Sequence, residues 1–337
     1  PDYLAEVLEG QDKMREGSAK TGDRATTPIE TARANAFDGG WSEYRPPAPQ
    51  SPGVTVIDDM PIKTLREYID WGPFFDTWQM RGRFPDILDH PEMGPTAREL
   101  YENAQRMLDR IETEGWFGPR GVVGLWPANA EGDDILVWQD EDRTALAARM
   151  PQLRQQGQKS GKKPHMCLTD FIAPVGIPDW IGGFAVTTGP EVHDIADRLK
   201  AEGQDYESIM VQSLGDRIAE AFAEALHERV RRSLWGFAPD ERLSNDDLIT
   251  EKYRGIRPAP GYPACPDHTE KSKIFDLLQA PDHTGLTLTE SFAMWPAAAV
   301  SGMYFAHPEA RYFGIGRLGP DQVADYAKRK GMDLAEM

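Results

Sequence analysis

Residues 206–235 read YESIMVQSLGDRIAEAFAEALHERVRRSLW, and within them Leu214, Ile218, Phe222, Leu226, Val230 and Leu234 recur every four residues. Apolar side chains at that interval fall along one face of an α-helix. At 1.5 Å per residue, ~30 residues span about 45 Å, enough to cross most of a domain this size. The flanking sequence has a different character. Upstream, 121–126 and 135–138 are short apolar runs separated by Asn129 and Gly132, a hairpin pattern. Runs 165–172 and 183–188 read as further strands, 99–113 as a helix, and the polar stretch MPQLRQQGQKSGKK (150–163) as a loop. Downstream, Ser244 and Asp247 make a capping-box pattern for a helix over 246–253. Runs 286–291 and 311–315 are strand-like, and 320–330 is a helix with Pro320 at its first position and Gly331 past its end. Strands cluster and one long helix interrupts them, without a βαβ rhythm. That order predicts an α+β fold with a largely antiparallel sheet.

Composition narrows the possibilities. The chain has 337 residues, 37 Lys+Arg against 55 Asp+Glu, a formal net charge of −18, and 40% hydrophobic residues. This is enough apolar material for a core, and it excludes a disordered chain or a collagen. Acid in excess of base argues against a nucleic-acid partner, because phosphate backbones need positive surface. Cys167 and Cys265 are the only cysteines, so no disulfide framework exists and a reducing, cytoplasmic setting is expected. No apolar run approaches the ~20 residues of a membrane-spanning helix; the longest, 294–306, contains Pro296, Ser301 and Gly302. No signal peptide opens the chain. It begins at Pro1 on a helical-looking phrase, and we expect it to be a piece of a longer polypeptide. Residues 2–20 read as a short charged helix. Residues 22–50, ending in Arg45-Pro46-Pro47-Ala48-Pro49, read as an extended linker.

Two patterns resemble sites and are set aside. Gly314-Ile-Gly316-Arg-Leu-Gly319 fits G-x-G-x-x-G, but a dinucleotide fold needs a further strand with an acidic residue about 20 positions on. The sequence stops at Met337, so the glycines read as a turn feeding a helix. His165, Cys167, Cys265 and His268 offer two imidazoles and two thiols, a possible tetrahedral zinc set. Their irregular spacing favours a buried thiol and a surface histidine, and no metal site is expected.

The unusual stretch is 254–267, RGIRPAPGYPACPD, with four prolines at 258, 260, 263 and 266. Proline fixes φ and removes a donor, so this segment is rigid, extended and unable to complete a sheet ladder. Such a strand presents its backbone groups at fixed positions, which suits a polar small ligand. Gly261 permits close approach, Tyr262 offers an aromatic wall, and Arg257 can hold a carboxylate with two parallel bonds. Acidic partners are Asp70, set among apolar residues in YIDWGPFF (68–75), and Glu220 on the long helix. One arginine and two acids suit an α-amino acid that carries an added cation.

The sequence resembles the activation domain of cobalamin-dependent methionine synthase, which binds S-adenosylmethionine. The resemblance is carried by TLREYIDWGPFF (64–75), WIGGFAVTTG (180–189), DRIAEAFAEALHERVR (216–231), YRGIRPAPGYPACPDHTEK (253–271), LTESFAMWPAAAVSGMYFAHPEARYF (288–313) and DQVADYAKRKGM (321–332). It implies a C-shaped single domain over 51–337, a twisted, mainly antiparallel sheet, and residues 1–50 as linker from an upstream cobalamin-binding module. It implies an S-adenosylmethionine site of Asp70, Glu220, Arg257, Ala259, Gly261, Tyr262, Tyr312 and Phe313, with Arg257 on the methionyl carboxylate and Tyr312-Phe313 at the adenosyl end. It also implies a role in methionine biosynthesis: positioning that methyl group for cobalamin after one-electron reduction by a flavodoxin-like donor. The cobalamin and the zinc of the enzyme belong to modules absent from this sequence, so the fragment alone is not expected to turn over homocysteine. No catalytic acid–base pair is expected. Asp216 is a candidate for the cobalamin-facing surface, and 229–232 or 328–330 for a basic patch toward the electron donor. The alternative is a docking platform for that donor with vestigial ligand binding.

Overall fold

The computed structural model describes residues 25–334; the helix expected over 2–20 lies outside them. The long helix forms as its spacing requires. In chain order the helices used below are α1 (Ile29–Ala34), α2 (Gly72–Thr77), α3 (Gly94–Thr113), α4 (Glu191–Ala201), α5 (Asp205–Arg229), α6 (Asn245–Ile249), α7 (Glu270–Leu278) and α8 (Pro320–Lys330). Helix α5 continues through Val230–Leu234 as a π-helical turn, with Trp235 N–H bonded to Val230 O at 2.8 Å. Leu214, Ile218, Phe222, Leu226 and Val230 on its apolar face are all fully buried.

The strands are β1 (Gly53–Ile57), β2 (Arg120–Glu131), β3 (Asp134–Trp138), β4 (Leu146–Pro151), β5 (Asp179–Thr187), β6 (Thr287–Leu288), β7 (Met294–Trp295) and β8 (Ala299–Tyr304). The main sheet runs β4-β3-β2-β5-β8 with β1 also on β2, every pairing antiparallel, while β6 and β7 form a separate ribbon. Successive side chains of β5 enter different cores. Phe184 and Val186 join α3, α4 and α5 on one face, whereas Ile181 and Ala185 join α7 on the other. A strand covered on both faces reads as a continuous apolar run, which is why 183–188 was legible.

Several local expectations change. Over 165–172 the chain makes a 3-10 turn, Leu168–Phe171, because Asp170 turns back to accept Cys167 N–H at 2.9 Å. No strand forms over 311–315, and within 286–291 only Thr287–Leu288 pairs. Strand β8 occupies the apolar run interrupted by Pro296 and Gly302. The Ser244 cap is as expected, its Oγ accepting Asp247 N–H at 3.2 Å, and α8 runs from Pro320 to a left-handed Gly331. The segment 25–50, expected as linker, lies against the domain: Ser51 N–H bonds Leu234 O at 2.8 Å and Trp235 Nε1–H bonds Pro47 O at 2.9 Å. Among the described residues no helix is long and apolar enough to cross a membrane.

A buried arginine ties α1 and α8 to the sheet. Arg154 is 3% exposed and donates to Asp133 (2.8 Å), Asp170 (2.8 and 3.0 Å) and His165 O (2.7 Å). Arg33 of α1 also reaches Asp133 at 2.8 Å, and Gln322 of α8 brackets the Arg154 backbone at 2.6 and 2.8 Å. Removing one partner of a buried ionic cluster strands the others. Arg154→Met is therefore expected to lower unfolding free energy by about 3–5 kcal/mol in urea titration. A loss below about 1 kcal/mol would show that the cluster does not hold α1 and α8 in place.

Candidate functional site

The proline-rich segment lies along the free edge of β8. Ile256 and Phe305 exchange backbone hydrogen bonds at 3.1 and 3.0 Å, and Met303 N–H reaches Pro258 O at 2.9 Å. Pro258 and Pro260 have no N–H to give, so the pairing stops there. Gly302 makes the approach possible, since a Cβ there would sit 2.9 Å from Pro258 O. The segment then turns at Gly261, whose φ is +95° and whose N–H bonds Cys265 O at 2.7 Å.

Two adjoining cavities open between this segment and α5. One of about 410 Å³ is lined by Asp70, Arg217, Glu220, Glu224, Glu251, Arg257 and Tyr262 among others. The second, about 520 Å³, shares Glu220, Glu251, Arg257 and Tyr262 and adds Ala259, Tyr312 and Phe313. Both are in the size range of small-ligand sites. The structure thus brings seven of the eight expected residues to one place. Gly261 is the exception. It serves the turn, and a Cβ there would come within 2.3 Å of the His268 ring.

Arg257 stands where the cavities meet. Its Nη2 donates to Glu224 Oε2 at 2.6 Å and its Nη1 to Tyr253 Oη at 3.1 Å, with His227 Nδ1 at 3.3 Å from Nη1. The backbone N–H of Arg257 bonds Tyr312 Oη at 3.0 Å, and Tyr312 Oη lies 3.3 Å from Tyr253 Oη. Tyr312 is therefore a brace for the arginine as well as a cavity wall. Phe313 packs edge-on to Phe171, and Tyr262 stands at the rim, 62% exposed. Asp70 is fixed by a 2.9 Å bond from Gly72 N–H at the start of α2.

The walls are acidic. Desolvation raises the carboxyl of Glu220, opposed by Arg217 and Arg257, and desolvation likewise raises Glu251. A wall carrying this many carboxylates attracts a cationic ligand. Glu224, Glu251, Tyr253 and His227 were missed in the sequence. Glu224 had a signal, standing four residues after Glu220 on the same helical face. Glu251 had none, since its position follows from a left-handed residue (φ +56°) at the end of α6.

The other sequence patterns have structural duties. Cys167 is buried and its thiol is pushed up to about 12 by desolvation, and Cys265 is raised in the same way. His165 pairs with Asn35 at 3.0 Å. The GIGRLG glycines form the loop into α8, where Gly319 N–H bonds Gln156 Oε1 at 2.7 Å.

Comparison with known proteins identifies the family. The family described as vitamin B12 dependent methionine synthase, activation domain, matches residues 61–331. A crystal structure of the MetH reactivation domain bound to AdoHcy is 52% identical, with a TM-score of 0.90, covering 92% of this chain and 96% of that one. The α+β fold, the acidic cleft and both matches lead to one assignment: the chain belongs to the family of activation domains of vitamin B12 dependent methionine synthase, a methyltransferase.

Proposed function

We propose that the paired cavities hold S-adenosylmethionine and present its methyl group to cobalamin, which a separate cobalamin-binding domain of the enzyme carries. The observation that bears most weight is Arg257 at the junction of the two cavities, with Glu220, Glu224 and Glu251 around it. S-adenosylmethionine carries a carboxylate, an ammonium and a sulfonium. The guanidinium of Arg257 takes the carboxylate, and Asp70 and Glu220 serve the two cations. Ala259, Tyr312 and Phe313 supply the less polar wall for the adenosyl group. Gly261 contributes through the turn that sets Tyr262 at the rim. The binding of AdoHcy by the 52% identical domain supports this reading, since AdoHcy shares the carboxylate, ammonium and adenosyl groups.

The residues of this chain do the work of placement. The methyl group is destined for the cobalt of cobalamin, which supplies the nucleophile. Holding the sulfonium in one orientation converts a bimolecular encounter into an oriented one. No side chain is needed as acid or base, because the methyl leaves sulfur with its bond broken in one displacement. Asp216 on α5 is assigned to the surface that meets the cobalamin-binding domain. In this reading a flavodoxin-like protein in the cytoplasm donates the electron that precedes methyl transfer. Homocysteine turnover and its zinc belong to other modules.

Calorimetric titration of the intact chain tests the site. Arg257→Ala is expected to weaken S-adenosylmethionine by about 1.5–3 kcal/mol, the scale of a hydrogen bond to a charged group. Unchanged affinity would remove Arg257 from the site. Absence of binding by the folded wild type would favour the docking-platform alternative.

The raised Glu220 carboxyl makes a second prediction. It keeps its proton to higher pH than an ordinary carboxylate and is fully charged only above the range in which ordinary glutamates ionise. S-adenosylmethionine, with its sulfonium, should therefore gain affinity as pH rises through that range, and S-adenosylhomocysteine should gain less. Glu220→Gln should bring the two pH profiles together. Parallel profiles in the wild type would contradict the role given to Glu220.

A further inference from the structure

Behind the arginine, away from the cavity, lies a layer of buried polar and aromatic groups that ligand contact alone does not explain. His227 is on α5 three residues after Glu224, so the two side chains share a helical face. Its ring is fully buried, lying parallel to Tyr304 (5.0 Å between centroids, 15°) and edge-on to Tyr253 (4.8 Å, 75°). Arg231, also fully buried and paired with Glu241 at 2.6 Å, sits 4.5 Å from the Tyr253 ring. The loss of water, reinforced by Arg231 and Arg257, lowers the pKa of the imidazole well below its ordinary value and keeps it neutral.

A neutral imidazole has one donor and one acceptor. Arg257 Nη1 has only hydrogens to offer, so Nδ1 must be the acceptor across the 3.3 Å gap and the ring proton must sit on Nε2. That Nε2 has no hydrogen-bond partner among the described residues. An unpaired buried N–H is costly and calls for an explanation. The other tautomer would turn a donor toward a cation, so the unpaired N–H accompanies a lone pair aimed at Arg257.

We infer that His227 is a positioning residue: with Glu224 and Tyr253 it fixes the guanidinium of Arg257 in the orientation that receives the ligand's amino-acid carboxylate. Glu224 engages Nη2, while Tyr253 and His227 engage Nη1. The stacked ring of Tyr304 prevents the imidazole from swinging away. His227 itself lines neither cavity, so it acts only through Arg257. This inference rests on the reading that Arg257 holds the carboxylate.

The test compares two ligands on the intact chain. S-adenosylhomocysteine has the amino-acid group; 5′-methylthioadenosine keeps the thioadenosyl part without it. In His227→Phe, which keeps an aromatic ring and loses the acceptor, S-adenosylhomocysteine should weaken about tenfold while 5′-methylthioadenosine changes less than about twofold. His227→Asn, which restores an acceptor near the Nδ1 position, should recover much of the preference and serves if the Phe variant does not fold. Equal weakening of both ligands in the Phe variant, or an undiminished preference in it, would overturn the inference. If only the Asn variant folds, a preference lost as fully as in Arg257→Ala would overturn it. If the wild type binds the two ligands equally, the carboxylate reading of Arg257 fails, and this inference fails with it.

Discussion

The ion pair between Arg257 and Glu224, 2.6 Å across, is the charged link between two parts of the chain that also meet where His227 faces Arg257 and packs on Tyr253. One is the long helix α5, anchored in the core by Leu214, Ile218, Phe222 and Leu226. The other is the proline-rich segment, held on the edge of β8 by backbone bonds at Ile256 and Pro258. Together these contacts hold the segment to the helix at the junction of the two cavities. Partly desolvated ion pairs add little net stability, because the lost hydration offsets the attraction. Its place here is better understood as geometric, with an arginine held ready at the point where a carboxylate is to bind.

The prolines follow from the same constraint. A free sheet edge invites another strand. At β8 the edge is filled by a segment that pairs twice and then lacks the donors to continue. Beyond that point the chain leaves the sheet, turns at Gly261 and forms the lip of the cleft. The rigidity that ends the ladder also lowers the ordering cost when a ligand binds. The Arg154 cluster holds α8 through Gln322, and Lys330 of the same helix contacts Asp267 at the end of the proline-rich segment.

Legibility in the sequence followed the strength of each local signal. Helix α5 announced itself by its fourfold apolar interval, α8 by Pro320 and Gly331, and the β2–β3 hairpin by two apolar runs around Gly132. Strand β8 was hidden because its small residues and the nearby Pro296 leave no alternation, and its pairing depends on β5. The run 165–172 misled because Asp170 is spent on Arg154 and on the Cys167 backbone, which curls the chain. At the site, residue chemistry alone singled out Arg257, Gly261, Tyr262 and the acids Asp70 and Glu220. Ala259, Tyr312 and Phe313 came through the family resemblance. Glu251, Tyr253 and His227 act through tertiary contacts that no spacing records.

The most direct test of the whole account is a crystal structure of this chain grown with S-adenosylmethionine. The account predicts the ligand in the paired cavities, its carboxylate on the Arg257 guanidinium and its adenosyl group beside Tyr312 and Phe313. A ligand bound elsewhere, or bound in the cleft with its carboxylate away from Arg257, would contradict it.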